Sequence, residues 1–155
     1  MTIAEQIKAT LAALQAWGVD GRAVIAPATD PVDFFSILRT GPGRVRCAVL
    51  FRGENKRGEH EEAGVVDRVF WVGVSRGKGL QLNRADALIN DGGAGPAMFD
   101  VCEEVRQVIR GIQFDGATTE GTPDYKSFAP LEVEGWLLDA YTLEFWIGTQ
   151  LPAPQ

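Results

Sequence analysis

Apolar residues between Ile3 and Leu14 recur every three or four positions, which is the spacing of one helix face. Thr2 and Glu5 precede and enter this run as a T-x-x-E capping box, in which each side chain satisfies a free backbone N–H of the first turn. Gly18 follows the run and supplies a stop. The pattern therefore predicts an N-terminal amphipathic helix.

Two further segments carry helical signals. Asp30 is a good N-cap and Pro31 suits the first helical position, so a short helix is predicted over Pro31–Arg39. A third helix is predicted from Pro96 onward, after a glycine-rich run. Its predicted apolar face consists of Phe99, Cys102, Val105, Ile109 and Ile112.

Other segments alternate between apolar and polar residues, which is typical of strands. The pattern predicts strands over residues 44–52, 65–75, 127–133 and 138–148, and a short one over 22–26. Residues 53–64 contain no large apolar side chain, so they are predicted as a solvated loop at the tip of an antiparallel hairpin. Residues 127–148 form either a second hairpin or one bent strand, and the pattern leaves both open.

This order of elements predicts one α+β domain over residues 1–150, with a short extended tail over 151–155. Strands adjacent in sequence favour a mainly antiparallel sheet, packed by two or three helices on one face. The length of 155 residues suits a single domain.

The composition removes several classes of function. The formal net charge of −6 argues against a nucleic-acid binder, whose affinity comes from neutralising phosphates. A single histidine, His60, and two cysteines, Cys47 and Cys102, leave few ways to build a metal or catalytic site. Both cysteines fall in apolar patterns and are predicted as buried thiols. No cofactor or metal is expected, and no targeting or membrane signal is visible.

One motif matches a catalytic signature. Residues 73–77 read G-x-S-x-G, the turn that presents the serine nucleophile in α/β-hydrolases. A helix should follow at once, but glycines follow instead, and His60 lies upstream of Ser75 rather than downstream. A small serine hydrolase using Ser75 is therefore a remote alternative, and a turn at the end of a strand is favoured.

Glycine-rich and acidic motifs are also incomplete. Residues 73–78 read G-x-x-x-G-K, which is one residue shorter than the G-x-x-x-x-G-K pattern of a phosphate-binding loop. Gly79 also stands where that loop has the Ser or Thr that binds magnesium. The GGAG run at residues 92–95 could hold an anion before a helix, although a flexible loop is favoured. Gly64 occupies the second histidine position of an H-E-x-x-H motif that would begin at His60.

Three tryptophans are unexpected if the second face of the sheet is exposed to solvent. Trp71 and Trp146 lie on predicted strands, on the face opposite the apolar stripe. Trp136 lies on a strand as well where residues 127–148 form one bent strand. A sheet covered on one side should have a polar second face. Either a partner protein covers these rings, or the Pro31–Arg39 helix packs on them as a second small core.

The chain resembles the tail terminator, or tail-completion, proteins of long-tailed bacteriophages, including Mu-like and lambda-like phages and related prophages. The resemblance rests on an N-terminal amphipathic helix, the strand AVLFRGEN, a polar loop and the strand DRVFWVGVSR. It continues through the helix segment GPAMFDVCEEVRQVIRGIQF and the final strand YTLEFWIG. It extends over residues 1–150, about the whole predicted domain.

The resemblance implies a structural virion protein without enzymatic activity. Family members form a ring, usually hexameric, that caps the head-proximal end of the tail tube, stops its polymerisation and offers a docking surface to the head. The implied partners are further copies of the chain, the tail tube protein and the head–tail connector protein, with DNA only passing through the pore. The implied location is the virion tail, assembled in the bacterial host cytoplasm. A head–tail joining or neck protein of the same virion is the alternative.

A ring requires contacts between two different patches of one subunit. The charged loop predicted at residues 53–64 is a candidate, because basic residues there can face acidic residues of a neighbour. Together with the tryptophans, the predicted interface residues are Arg52, Lys56, Arg57, Glu59, Glu61, Glu62, Trp71, Trp136 and Trp146. The negative net charge would keep DNA from adhering to a pore that it traverses.

Overall fold

The computed structural model contains helices and strands in the order that the pattern predicts. It describes residues 1–18, 23–39, 45–56, 64–76, 88–91, 96–115, 122–131 and 140–152. In these ranges the helices are α1 (Ile3–Trp17), α2 (Pro31–Arg39) and α3 (Met98–Arg110). The strands are β1 (Ala23–Pro27), β2 (Val45–Lys56), β3 (Val65–Ser75), β4 (Asp124–Pro130) and β5 (Ala140–Gln150).

The five strands form one sheet in the order β1-β2-β3-β5-β4. β1 pairs with β2 in parallel, and the other three pairs are antiparallel. The predicted α+β class with a mainly antiparallel sheet is therefore confirmed. The β2–β3 hairpin is confirmed as well, with Val49 opposite Val72.

Helices α1 and α3 cover one face of the sheet and enclose the main core. α1 contributes Leu14, and α3 contributes Val101, Val105 and Ile109, all of them buried. The central strands meet them with the inward half of each alternating pattern: Val45, Cys47, Val49, Phe70, Val72, Val74, Leu143, Phe145 and Ile147. Burial of these side chains is the main favourable contribution to folding.

Helix α2 packs on the opposite face of the sheet. Two helices therefore share one face, as predicted, and the third does not. Phe34 and Leu38 of α2 are fully buried against Ala48, Leu50 and Ala140. Parallel neighbours such as β1 and β2 need a crossover connection, and α2 lies between them in the chain. The crossover therefore supplies a cover for the second face of the sheet.

A buried polar network attaches α1 to the sheet. Arg68 on β3 donates to the Met1 carbonyl at 2.8 Å and to Gln6 Oε1 at 3.1 Å. Its Nε also lies 2.9 Å from a carboxylate oxygen of Glu54 on β2. Gln6 in turn donates to Thr149 Oγ1 on β5 at 2.9 Å. The buried side chains of Arg68, Gln6 and Thr149 thereby have hydrogen-bond partners, as burial requires.

Strand β2 is longer than predicted, and this corrects the proposed loop at residues 53–64. The strand continues to Lys56, which lies opposite Val66, and residues 57–63 fall outside the described ranges. A bulge between Phe51 and Gly53 resets the register, and Gly53 has a φ of 138°. Alternation of apolar residues could not reveal this part of the strand, because residues 53–56 contain no large apolar side chain and are held by their pairing with β3.

Helix α3 also corrects one predicted core residue. Phe99 is 37% exposed, whereas Met98 and Val101 are fully buried. Successive residues of a helix are rotated by about 100° around its axis. The buried stripe is centred on the side of Met98, so Phe99 points about 100° away from it. The ring of Phe99 contacts Tyr141 instead, with 5.5 Å between ring centroids.

Strands β4 and β5 form an antiparallel pair, with Phe128 opposite Leu143. This decides between the two alternatives for the C-terminal segment in favour of two paired strands. β4 begins three residues earlier than the predicted 127, at Asp124. Among the described residues, no helix is long and apolar enough to cross a membrane.

Candidate functional site

The face of the sheet opposite the main core carries two of the predicted tryptophans. Trp71 on β3 lies directly opposite Glu144 on β5, and Val69 lies opposite Trp146. Because side chains alternate along a strand, Trp71, Glu144 and Trp146 share one face. The two rings are 75 positions apart in the sequence. The pairing of β3 with β5 brings them together.

Both tryptophans donate to the same carboxylate. Trp71 Nε1 donates to Glu144 Oε1 at 2.9 Å, and Trp146 Nε1 donates to Glu144 Oε2 at 3.0 Å. An indole N–H that is removed from water needs such an acceptor. The shared carboxylate consequently fixes the orientation of both rings.

Two basic side chains extend this arrangement to the neighbouring strands. The Arg52 guanidinium on β2 lies 4.2 Å from the Trp71 ring centroid, and the Lys126 ammonium on β4 lies 4.7 Å from that of Trp146. Both distances are typical of cation–π contacts. Arg52, Trp71, Glu144, Trp146 and Lys126 form a row across four strands, which we call the tryptophan ladder.

Packing on α2 as a second small core accounts for Trp71, and cover by a partner protein stays a prediction. Trp71 packs on α2, with 6.1 Å between its ring centroid and that of Phe34, and belongs to the second small core. Trp146 is outside that core, and both tryptophans line an open cleft of about 330 Å³ together with Val69 and Glu144. Within the ladder, Trp71 thus packs on α2 and also borders the open cleft.

The remaining predicted interface residues divide into two groups. Lys56 is exposed at the end of β2. Arg57, Glu59, Glu61, Glu62 and Trp136 lie outside the described residues. The charge pairing expected between neighbouring loops therefore stays a prediction.

A second surface feature lies on the α3 side of the sheet, and the sequence did not reveal it. Phe99 and Phe128 are 37% and 36% exposed, and both contact Tyr141. Phe128 stacks on Tyr141 with 5.0 Å between centroids. The surrounding groove has a volume of about 280 Å³ and is lined by Phe99, Cys102, Glu103, Arg106, Phe128 and Leu143. We call it the aromatic groove.

The two cysteines are free and buried, as predicted. Burial raises the pKa of the Cys47 thiol, and the nearby Cys102 adds to the effect. Burial also raises the pKa of Cys102 to about 12, although Arg106 acts in the opposite direction. A thiol reacts as its thiolate, so neither group is activated as a nucleophile.

Ser75 is fully buried, and its hydroxyl donates to the Leu38 carbonyl at the end of α2. A nucleophile of the hydrolase type is instead exposed on a turn between strand and helix. Ser75 therefore connects β3 to α2. Within the described ranges, no group of three or more His, Cys, Asp or Glu residues could hold a metal ion. His60 and the GGAG run at residues 92–95 fall outside those ranges.

Comparison with known proteins does not assign the chain to a group. No protein-family model matches it, and no curated protein matches it.

Proposed function

We propose that the chain is a structural protein of a bacteriophage tail, a tail terminator that assembles as a ring on the head-proximal end of the tail tube. In this role it stops addition of tube protein and provides the surface on which the head docks. The proposal assigns the chain a function in assembly rather than catalysis.

The order of elements supports the proposal. The segments on which the resemblance rests correspond to α1, the β2–β3 hairpin, α3 and β5. All four are joined in one core, because α1 and α3 both contribute to the buried cluster that contains residues of the hairpin and of β5. The resemblance therefore follows elements that form a common structural frame.

The observation that carries the proposal is the tryptophan ladder. Tryptophan and arginine are enriched in the central residues of protein interfaces, and the rims of interfaces are polar. Here they occur together on one sheet face, and of the ladder residues only Trp71 belongs to the cluster that α2 covers. Since the indole N–H groups are already bonded to Glu144, the rings are oriented before a partner arrives.

Addition of the purified protein to tail tubes tests this proposal. We expect particles at one end of each tube by electron microscopy, and no further growth when free tube protein is added. Replacement Trp146→Ala should weaken end binding by about fivefold or more, because loss of a central interface residue costs about 1 kcal/mol or more. Trp146→Phe is the matched control, since it keeps an aromatic ring.

The same experiment separates the alternative. A head–tail joining protein would bind the connector side and leave tube ends free. Tubes that keep growing in the presence of the wild-type protein, with no particle at either end, would contradict the proposed terminator.

A further inference from the structure

Strands β2 and β4 each contain a β-bulge, and the extra residue of each bulge is a basic residue of the tryptophan ladder. In β2 the extra residue is Arg52, which has no residue opposite it on β3. In β4 it is Lys126, which has none opposite it on β5. A bulge changes the direction in which a side chain points. The same backbone feature therefore supplies both cations of the ladder.

A small residue follows the cation in each bulge. Gly53 and Ser127 lie opposite residues on the ladder's face of the sheet, but neither has a side chain long enough to reach an indole ring. The extra residue reaches the ring instead. The distance from the cation to the ring centroid is 4.2 Å at Trp71 and 4.7 Å at Trp146.

Protection of strand edges does not fully explain these bulges. β4 is at the edge of the sheet, and the pairing of β2 with β1 ends at Val49, so within the described strands both bulges lie where a strand has one neighbour. Bulges and charges at such places prevent pairing between molecules. That role requires a charge, but it does not require the charge to lie on a tryptophan ring. The position of both cations over rings indicates a second role.

Glu144 and the two cations restrict different motions of the rings. The hydrogen bonds to Glu144 hold the N–H edge of each indole. A cation on the ring face opposes rotation about that edge, because a rotated ring no longer presents its π face to the charge. Lys126 is itself held, since its Nζ lies 2.7 Å from a carboxylate oxygen of Asp124. Each ring thus has an acceptor at its edge and a cation on its face.

We propose that Arg52 and Lys126 are positioning residues of the ladder: each holds one tryptophan in the plane in which the ring meets the tail tube. They act through the rings and do not contact the tube themselves. A ring that is held before binding loses less freedom when the partner arrives, so residues outside the contact add to affinity. The inference rests on the proposed function and adds the residues that prepare its docking surface.

Nuclear magnetic resonance relaxation of the indole ring carbons measures the mobility of each tryptophan in the protein alone. Arg52→Met and Lys126→Met remove a cation and keep a long side chain. We expect a more mobile Trp71 ring in the first variant and a more mobile Trp146 ring in the second. Rings as ordered in these variants as in the wild type would overturn the inference.

Three further variants serve as controls for ring mobility. Arg52→Lys and Lys126→Arg keep a cation and should retain the ring order of the wild type. Lys8→Met removes an exposed charge from α1, on the other face of the sheet, and should change neither ring. Circular dichroism verifies that every variant folds.

Binding to tube ends distinguishes positioning from direct contact. Lys126→Met should weaken binding about two- to fivefold, which corresponds to roughly 0.5–1 kcal/mol for an exposed cation–π contact. In a Trp146→Ala background the same substitution should have no effect, because the ring through which Lys126 acts is absent. An equal loss in both backgrounds would show that Lys126 contacts the tube and would overturn its positioning role.

The two measurements also separate this inference from the proposed function. Tube ends that stay free contradict the terminator, while ring mobility in the isolated protein still tests Arg52 and Lys126. Rings that stay ordered in the methionine variants of a protein that does cap tubes contradict the positioning role alone.

Discussion

Gly73 shows how one residue decides where a helix can lie. A Cβ atom at this position would lie 2.5 Å from Leu38 Cδ1 and 2.5 Å from Phe34 Cζ, both on α2. The absent side chain allows α2 to approach β3 closely. In the sequence Gly73 opens a G-x-S-x-G motif, yet its role in the structure is to leave room for packing.

Replacement of Gly73 tests this close approach. We expect Gly73→Ala to lower the free energy of unfolding by about 1–3 kcal/mol, because the added methyl group overpacks the second small core. Urea denaturation measures the change. Gly111→Ala is the matched control: its Cβ would lie 3.4 Å from the Gln107 carbonyl oxygen, an ordinary contact, so stability should hold or rise slightly. Equal effects at both positions would contradict the packing described for α2.

The sequence predicted single residues better than pairs of residues. Alternation correctly placed Trp71 and Trp146 on the face opposite the main core. It could not show that both bond Glu144, because that contact depends on which residue of β5 lies opposite Trp71. The register between two strands depends on the whole sheet, so the sequence of a single strand does not reveal it.

Among the elements, α1 has the most complete sequence signal. The Thr2 and Glu5 capping box is present, with the Thr2 N–H donating to Glu5 at 2.7 Å and Glu5 N–H donating to Thr2 at 3.1 Å. Both contacts are local in sequence, so the prediction needed no knowledge of tertiary structure.

The capping box makes the stability of α1 depend on pH. The hydrogen bond from the Thr2 backbone lowers the pKa of Glu5 from its ordinary value of 4.5. A lowered pKa in the folded state contributes stability above 4.5, and this contribution disappears as the pH falls through the folded-state value. Glu5→Gln keeps an acceptor without charge, so wild type should exceed it in stability at neutral pH and lose that advantage in acid. Thermal unfolding across this range measures it; a difference independent of pH would contradict the charge effect.

Two element-level predictions needed information beyond the local pattern. The polar end of β2, residues 53–56, is a strand because β3 offers it a pairing partner, as Lys56 opposite Val66 shows. The face on which α2 lies follows from the parallel pairing of β1 with β2, which the order of elements did not specify. Both depend on strand pairing between distant segments.

At the scale of the whole molecule, Arg68 connects three parts of the fold. It is 6% exposed and bonds residues of α1, of β2 and of the N-terminus. We expect Arg68→Met to lower the free energy of unfolding by about 1–3 kcal/mol, because the Met1 carbonyl and Gln6 lose their donor. Chemical denaturation measures this.

Lys8→Met is the control for that substitution. It removes a positive charge from an exposed position on α1, so we expect a change of roughly 0.5 kcal/mol or less. If both variants lose the same stability, net charge rather than the buried network explains the effect of Arg68→Met.

The position of β5 has a consequence for the order in which the protein can fold during synthesis. β5 is the last described strand in the chain, yet it lies between β3 and β4. Until residues 140–150 have left the ribosome, β4 has no neighbour to pair with and one side of β3 stays open. A nascent chain therefore exposes an unpaired strand edge, rich in valine, until β5 has been synthesised. Emergence of β5 is the event that closes the sheet.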